Sequence, residues 1–294
     1  MNQKYFILLI FFCFHLNIFA QKHYTEAGLF FGVSNYHGDL TPHIMEVNEY
    51  NMAFGAFGRY NFNGHFGIKF HFYKGTLSGT DFNAQVLEGD RERNLSFRSD
   101  LLELGAQFEY NFLNFQVSKN DHITTPYIFA GIAGFHFNPQ AEYNGQWFNL
   151  QELGTEGQGL EGYAEPYNLL SFAIPVGVGV KFNINHLTNI GLEFGVRTTF
   201  TDYLDDVSTV YPDLEALGNI NGQFATALSY RTGEYDPNLV VADPAGTPRG
   251  NPEINDFYFF GGIMLSVNIG KKNGFKDRQK QPTKRQKRAP KMEF

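Results

Sequence analysis

Apolar and polar residues alternate along several stretches of the chain. In HFGIKFHFYKG, residues 65–75, every second position is taken by Phe66, Ile68, Phe70 and Phe72, while Lys69 and His71 lie on the other face. Successive side chains of a β-strand point to opposite faces, so this period of two predicts half-buried strands. A soluble sandwich turns such phenylalanines toward a second sheet, and an outer-membrane barrel turns them toward lipid.

Eight stretches share this alternation. The predicted strands are 24–34, 51–62, 65–75, 100–112, 126–137, 172–184, 189–200 and 257–269. The sequence NFNGH joins the second strand to the third as a tight Asn-Gly hairpin. Both faces of the fifth strand are apolar or small, so its orientation stays open.

The lengths of the links favour the barrel. Links after strands two, four and six are short (63–65, 113–125 and 185–188), and links after strands one, three, five and seven are long (34–50, 78–95, 138–168 and 202–255). Glycines recur on the polar faces, where they relieve crowding inside a narrow barrel. The chain is therefore predicted to be all-β, an eight-stranded antiparallel up-and-down transmembrane barrel. Long extracellular loops, short periplasmic turns and two periplasmic termini complete this layout.

The N-terminus is typical of a secretory signal peptide. Lys4 precedes the apolar run YFILLIFFCFHLNIFA, and Ala20 is a small residue at a plausible cleavage point. A membrane anchor is the alternative, although the run is shorter than the roughly 20 apolar residues of a spanning helix. The only cysteine, Cys13, lies in this segment, which excludes disulfides, cysteine metal sites and cysteine nucleophiles from the mature chain. Three parts follow: a signal peptide at 1–20, a barrel at 21–270 and a tail at 271–294.

Charge is unevenly distributed. The chain carries a formal net charge of -7, yet its last 24 residues hold ten Lys or Arg and two acidic residues. This tail is predicted to be disordered when free and to lie in the periplasm, where nucleic acid is absent. Acidic periplasmic proteins, anionic lipid or the cell wall are its candidate partners, and an unused solvated tail is the alternative. The candidate binding residues are Lys271, Lys272, Lys276, Arg278, Lys280, Lys284, Arg285, Lys287 and Arg288.

Charged residues of both signs fall on the predicted lumen faces. They are Glu26, Glu103, Glu109 and Glu193 with Arg59, Lys69, Lys181 and Arg197. In a barrel too narrow for a water channel such groups must pair, so we expect an ion-pair network that plugs the lumen. A selective pore is the alternative, but it favours one dominant sign and more strands.

Catalytic and metal-binding signatures are weak. The chain contains no G-x-S-x-G elbow, no H-E-x-x-H and no Gly-rich phosphate loop. His37, Asp39 and His43 share the first long link and, with the acidic run at 202–213, leave a hydrolase at the rim as an alternative. Asp202, Asp205, Asp206 and Asp213 could together bind a calcium ion, but the D-x-[DN]-x-[DN]-G pattern of calcium-binding loops is missing. We therefore expect a solvated acidic loop beside lipopolysaccharide. No enzyme activity, cofactor, metal or small-molecule substrate is predicted.

Three segments resemble a known family. GVSNYHGDL at 32–40, GLEFGVRTTFTDYLDDVS at 191–208 and FYFFGGIMLSVNIG at 257–270 are similar to the PorG-type outer-membrane proteins of the Bacteroidetes type IX secretion system. The resemblance spans residues 24–270 and implies a non-enzymatic barrel that links the outer membrane to the periplasmic ring of the lipoprotein PorK and PorN. That ring supports protein export and, in some species, gliding. The resemblance implies no catalytic residues and does not include the tail from Lys271.

Overall fold

The computed structural model describes residues 23–41, 46–83, 92–115, 123–185 and 187–269. The predicted signal peptide and the predicted basic tail lie outside the described residues. Within the described ranges, no helix is long and apolar enough to span a membrane.

Ten strands and several short helices make up the described chain. The strands are β1 Tyr24–His37, β2 Asn51–Asn61, β3 Phe66–Thr80, β4 Ser96–Asn111, β5 Thr124–His136, β6 Pro139–Tyr143, β7 Gln146–Asn149, β8 Leu170–Asn183, β9 Thr188–Thr199 and β10 Phe257–Asn268. The α-helices are α1 Leu150–Leu153, α2 Leu214–Asn221, α3 Gln223–Ser229 and α4 Thr232–Tyr235, and 3-10 turns lie at Val47–Glu49 and Pro237–Leu239.

Eight of these strands close into a barrel. Each of β1, β2, β3, β4, β5, β8, β9 and β10 pairs antiparallel with its neighbours, and β1 pairs with β10 to close the ring. Closure leaves these eight strands without a free edge. The predicted eight-stranded antiparallel barrel is therefore confirmed, including the short links at one end and the long links at the other.

One hairpin was not predicted from the sequence, and it lies at the long-link end of the barrel. Strands β6 and β7 lie inside the long link at 138–168 and continue the sheet from the outer end of β4. Their turn is Asn144-Gly145, with φ values of 53° and 79°. Positive φ at both central residues is what a two-residue hairpin turn requires, so this Asn-Gly pair was a usable sequence signal.

The predicted alternation of faces holds around the barrel. On β3, Lys69 is fully buried and Phe70 is 55% exposed. The orientation of β5 is now defined, because Tyr127 and Phe129 point inward while Ile132 is 72% exposed on the outside. The pairing of β5 with β4 and β8 fixes this choice, which its own composition left open.

The outer surface carries a continuous apolar belt. Its exposed residues include Leu29, Phe31, Phe54, Phe70, Phe72, Leu104, Phe108, Ile128, Ile132, Phe172, Ile174, Val176, Val178, Leu192, Ile263 and Leu265. At the short-turn end the ring pairs Tyr60 with Phe62 and Tyr110 with Phe112 form part of an aromatic girdle. An apolar belt bounded by aromatics on a closed barrel belongs in a bilayer, since water would cost about 25 cal/mol per Å² of its area. The molecule is an outer-membrane barrel.

The long links pack onto the open end of the barrel. Strands β1 and β3 run past their predicted ends to His37 and Thr80, and so carry the sheet beyond the belt. Residues 38–41, 81–83, 92–95, 150–168 and 200–256 cover this extension, and we call them the loop cap. Leu204 and Val207 of the loop cap are fully buried against the barrel mouth.

Candidate functional site

Glu109 is the centre of the larger charged cluster in the lumen. Its carboxylate lies 2.8 Å from Arg59 Nε, 2.6 Å from Lys181 Nζ and 3.8 Å from Lys69 Nζ. The four side chains come from β2, β3, β4 and β8, so the cluster joins opposite walls of the barrel. One carboxylate among three cations needs further anions close by to remain stable in a buried position.

Glu26 and Glu193 supply those anions. Arg59 Nη1 lies 2.9 Å from Glu26 Oε2, and Lys69 Nζ forms an ion pair with Glu193 Oε2. Each carboxylate also accepts a hydrogen bond from a neutral hydroxyl group: Ser266 donates to Glu26 and Tyr127 donates to Glu193, each at 2.7 Å. Hydrogen bonds of this kind offset the cost of removing each carboxylate from water.

A second cluster surrounds Glu103, nearer the loop cap. Arg197 Nε lies 3.3 Å from Glu103 Oε2, His71 Nε2 lies 2.7 Å from Oε1, and the Tyr258 hydroxyl donates to Oε2 at 2.7 Å. The structure thus brings all eight charged residues selected from the sequence together in two clusters. His71, Tyr127 and Tyr258 belong to the same clusters and were not selected. The alternation had placed His71 and Tyr258 on the predicted lumen faces of β3 and β10, whereas the orientation of β5, which carries Tyr127, had stayed open.

Aromatic side chains fill the lumen between and around the charges. Lys69 Nζ lies 5.3 Å from the centre of the Phe129 ring, and Arg197 lies over the Phe260 ring. Glycines make room for these rings: a Cβ at Gly177 would lie 2.4 Å from Phe129 Cζ. The eight charged residues are each at most 4% exposed. Balanced charges and packed rings therefore leave the cross-section filled by protein.

Two arginines hold the loop cap together. Arg93 binds Asp81 through two nitrogens, Nε to Oδ2 at 3.0 Å and Nη2 to Oδ1 at 2.6 Å, and also donates to the backbone oxygens of Asp39 and Arg249. Arg249 Nη1 lies 3.0 Å from Glu156 Oε1. Each arginine joins chain segments that are far apart in sequence.

The acidic run at 202–213 is buried, and the expectation of a solvated acidic loop is wrong for its first half. Asp206 accepts hydrogen bonds from the Thr155 and Tyr167 hydroxyls, and burial raises its pKa to about 6 despite the neighbouring Arg249. Burial likewise raises the pKa of Asp202 to about 7. Asp213 stands apart, on the surface, and caps α2 through Ala216 N at 2.9 Å. Asp206 and Asp213 therefore stabilise local structure in the cap, and within the described ranges the aspartates of the run are not grouped around one ion.

An open cleft of about 710 Å³ lies in the outer surface of the loop cap. Its lining includes His37, Asp39, Arg93, Tyr211, Tyr230 and Arg249. His37 is the last residue of β1 and packs on Phe257, while both Asp39 oxygens accept the backbone N–H of Asn251 at 3.1 Å. The third residue of the proposed hydrolase set, His43, lies outside the described residues.

The described ranges contain no group of three or more His, Cys, Asp or Glu side chains placed to hold a metal ion. The nine basic residues selected in the tail, from Lys271 to Arg288, also lie outside the described residues. The lumen clusters and the loop cap are therefore the two places where the described chain concentrates buried charge.

Sequence comparison places the chain in a family. The family described as "Domain of unknown function (DUF6089)" matches residues 3–227, so the chain belongs to it. No curated protein matches the sequence.

Solved structures with a similar shape are outer-membrane barrels. Ail, the attachment invasion locus protein of Yersinia pestis, is 8% identical with a TM-score of 0.38 over 85% of this chain and 99% of that chain. The N-terminal β-barrel domain of Pseudomonas aeruginosa OprF is 9% identical, with a TM-score of 0.35 over 85% and 98%. Neisserial surface protein A is 10% identical, with a TM-score of 0.37 over 83% and 96%. The fold of the present chain rests on its own strand pairing.

Proposed function

We propose that this DUF6089 protein is a non-conducting, non-enzymatic anchor in the outer membrane, which organises the periplasmic ring of the type IX secretion system. The barrel holds the chain in lipid, and the short-turn end with the basic tail faces the periplasmic machinery. PorK and PorN, the ring proteins implied by the family resemblance, are the proposed partners.

The observation that carries the proposal is the filled lumen. Glu109 with its three cations and Glu103 with Arg197 and His71 join opposite walls of the barrel by ion pairs. A conducting pore requires a hydrated path and a dominant sign of charge, whereas these clusters balance and are buried among packed side chains. Cross-linking the walls by buried pairs favours a rigid body, which suits an anchor.

The cleft in the loop cap gives little support to an enzyme. Asp39 is occupied by two contacts to the Asn251 amide, and Arg93 and Arg249 are occupied by Asp81, Glu156 and backbone oxygens. A hydrolase needs a base within hydrogen-bond reach of a nucleophile or a water. Asp39, Asp81 and Asp206 are instead occupied by hydrogen bonds that connect segments of the cap.

The proposed ring contact rests on charge and position. β1 begins and β10 ends at the short-turn end of the barrel. The tail that follows residue 269 therefore starts on that side of the membrane. Ten basic and two acidic residues there would attract an acidic protein surface, with an attraction that weakens as salt is added.

The test is chemical cross-linking of native outer membranes, with the bound proteins identified by mass spectrometry. The full chain and a chain ending at Gly270 are compared at equal abundance in the membrane. We expect the full chain to recover PorK and PorN and the truncated chain to lose them. Recovery that survives truncation would move the contact to the short turns, and recovery of neither protein by either chain would refute the secretion role.

A further inference from the structure

A buried pair of carboxyl groups lies under the cleft and is bridged by one phenol. The Tyr36 hydroxyl donates to Asp205 Oδ2 and lies 3.3 Å from Asp256 Oδ1. The other two carboxyl oxygens accept backbone hydrogen bonds, Asp205 Oδ1 from Val207 N and Asp256 Oδ2 from Leu204 N, both at 2.9 Å. All three bridged side chains are at most 1% exposed.

This geometry requires one more hydrogen than the phenol has. A tyrosine hydroxyl carries a single hydrogen and can donate to only one carboxylate at a time. The contact between the Tyr36 oxygen and Asp256 Oδ1 is then favourable only if a carboxyl group supplies a hydrogen. Without it, two oxygen lone pairs face each other in a buried site, at the cost of an unmet hydrogen bond.

The charges that face the pair favour the same conclusion. Asp39 and Asp202 are the nearby ionisable groups, and both are acids. The arginines of the cap bind other acids: Arg93 pairs with Asp81, Arg249 with Glu156 and Asp206, and Arg231 with Glu234. In the described chain, no Lys or Arg forms an ion pair with Asp205 or Asp256. Two adjacent carboxyl groups without a cation hold a proton between them, because both cannot ionise at low cost.

We propose that Tyr36, Asp205 and Asp256 form a proton-binding site that locks the loop cap and sets the shape of the cleft, so that loss of the proton loosens both. This inference concerns the end of the barrel opposite the proposed ring contact, and it stands independently of the secretion role.

The site is built into both walls of the cleft. Tyr36 directly precedes His37, Gly38 and Asp39 in one wall, and Asp256 directly follows Asn255 in the other. The walls meet closely, since a Cβ at Gly38 would lie 1.9 Å from Asp256 Oδ1. Asp205 is held by Tyr36, at the base of one wall, so its repulsion of an ionised Asp256, at the base of the other, would push the two walls apart.

The sign of the pH dependence follows from the direction of the shifts. Burial, followed by the neighbouring Asp39, raises the pKa of Asp205 well above its usual value, and burial followed by Asp205 does the same for the pKa of Asp256. A raised pKa means that the folded cap binds more protons than the unfolded chain, whose aspartates titrate near about 3.9. The stabilisation is complete below that value and is lost as the pH rises through the folded pKa. Asp206 and Asp202, with raised pKa values of about 6 and about 7, act in the same direction.

Infrared difference spectroscopy detects the proton directly. The full barrel in detergent is measured at a pH above the raised pKa values of Asp202, about 7, and of Asp206, about 6, so that these two buried carboxyl groups do not contribute to the band. We expect a carbonyl band of a protonated carboxylic acid that is lost in Asp205→Asn and in Asp256→Asn. Asp213→Asn, at an exposed cap of α2, should keep the band. A band of equal strength in all four proteins, or no band in the wild type, would overturn the proposal.

Hydrogen exchange measures the lock. In Asp256→Asn the amide donates to the Tyr36 oxygen, so the variant imitates the protonated pair at every pH. We expect the Leu204 and Val207 amides of the wild type to lose protection as the pH rises, and those of Asp256→Asn to keep it. Asp213→Asn is the control for substitution of an exposed aspartate, and its pH dependence should equal that of the wild type. Equal pH dependence in the two proteins would refute the lock. Heat-dependent gel mobility confirms that each barrel is folded, and Asp205→Asn serves as the second imitation if Asp256→Asn does not fold.

Discussion

At the scale of single residues, Glu109 shows why the lumen clusters are interdependent. Three cations lie within 3.8 Å of its carboxylate, and all of them are buried. Removing one partner of a buried pair costs about 3–5 kcal/mol, because the remaining charge is left without compensation. We expect Glu109→Gln to lower the free energy of unfolding of the barrel by this amount, measured by denaturant unfolding in detergent.

Two further variants test whether the loss comes from unbalanced buried charge. Lys74→Gln removes one partner of an exposed pair, Lys74 with Asp100 at 3.8 Å, and should change the unfolding free energy by less than about 1 kcal/mol. Adding Lys181→Met to Glu109→Gln leaves three acids and three bases in the clusters and should recover part of the loss. Additive losses in the double variant would contradict the interdependence.

Alanine substitutions at two glycines on opposite faces of the barrel wall should change the free energy of unfolding in opposite directions. Gly177 faces the lumen, and its Cβ would lie 2.2 Å from Phe194 O, so Gly177→Ala should destabilise the barrel by about 1–3 kcal/mol. Gly58 faces outward, where a Cβ meets nothing within 4 Å, and Gly58→Ala should stabilise by about 0.5–1 kcal/mol through lower entropy of the unfolded chain. Unfolding of the two variants side by side checks the comparison, and equal effects would contradict the packed lumen.

At the scale of elements, the strands were predictable and the loop cap was not. Alternation defined β8 and β9 almost to the residue, because each presents one face to lipid and the other to a filled lumen. The strand extensions to His37 and Thr80 are stabilised by the cap, which the local pattern does not encode. The acidic run was misread for the same reason, since Asp205 and Asp206 are buried by partners up to 169 residues away in sequence.

Arg93 tests whether the loop cap is one unit. It joins Asp81 to the backbone of Asp39 and of Arg249 by four hydrogen bonds, and Arg93→Lys cannot keep the paired contact to Asp81. We expect a loss on the order of 2 kcal/mol in local protection of residues 38–41 and 249–251, measured by hydrogen exchange. The belt strands should be unaffected.

Arg231 provides the matched control for this substitution. It directly precedes α4 and pairs with Glu234 three residues on, at 2.7 Å, while its contact to a distant segment is a long one, 3.5 Å to Ser96 Oγ. We therefore expect Arg231→Lys to change the protection of residues 38–41 and 249–251 much less than Arg93→Lys does. Loss of protection of equal size in both variants would mean that Arg93 does not link the segments of the cap.

At the scale of the whole molecule, the sequence predicted the architecture and pointed to the eight charged residues of the lumen clusters, but not to their neutral partners. Period-two alternation fixes which residues face inward, but it does not say that Arg59 pairs with both Glu26 and Glu109 while Arg197 pairs with Glu103. Glu26 lies directly opposite Arg59 in the pairing of β1 with β2. The other contacts depend on how side chains reach across the lumen between strands that are not paired, as Arg59 on β2 reaches Glu109 on β4 and Arg197 on β9 reaches Glu103 on β4. The bridge of Tyr36 to Asp205 and Asp256 had no local signal, because its members come from β1 and from two places in the longest link.

The central claim is that the lumen of the barrel is blocked and does not conduct ions. Planar-bilayer conductance of the purified wild-type protein tests this claim most directly. Within the described residues, two buried charge clusters and the loop cap lie across the lumen of the barrel. We predict no current steps above those of protein-free detergent at any applied voltage. Steady current steps that increase with the amount of folded protein and disappear after heat denaturation would contradict the closed barrel.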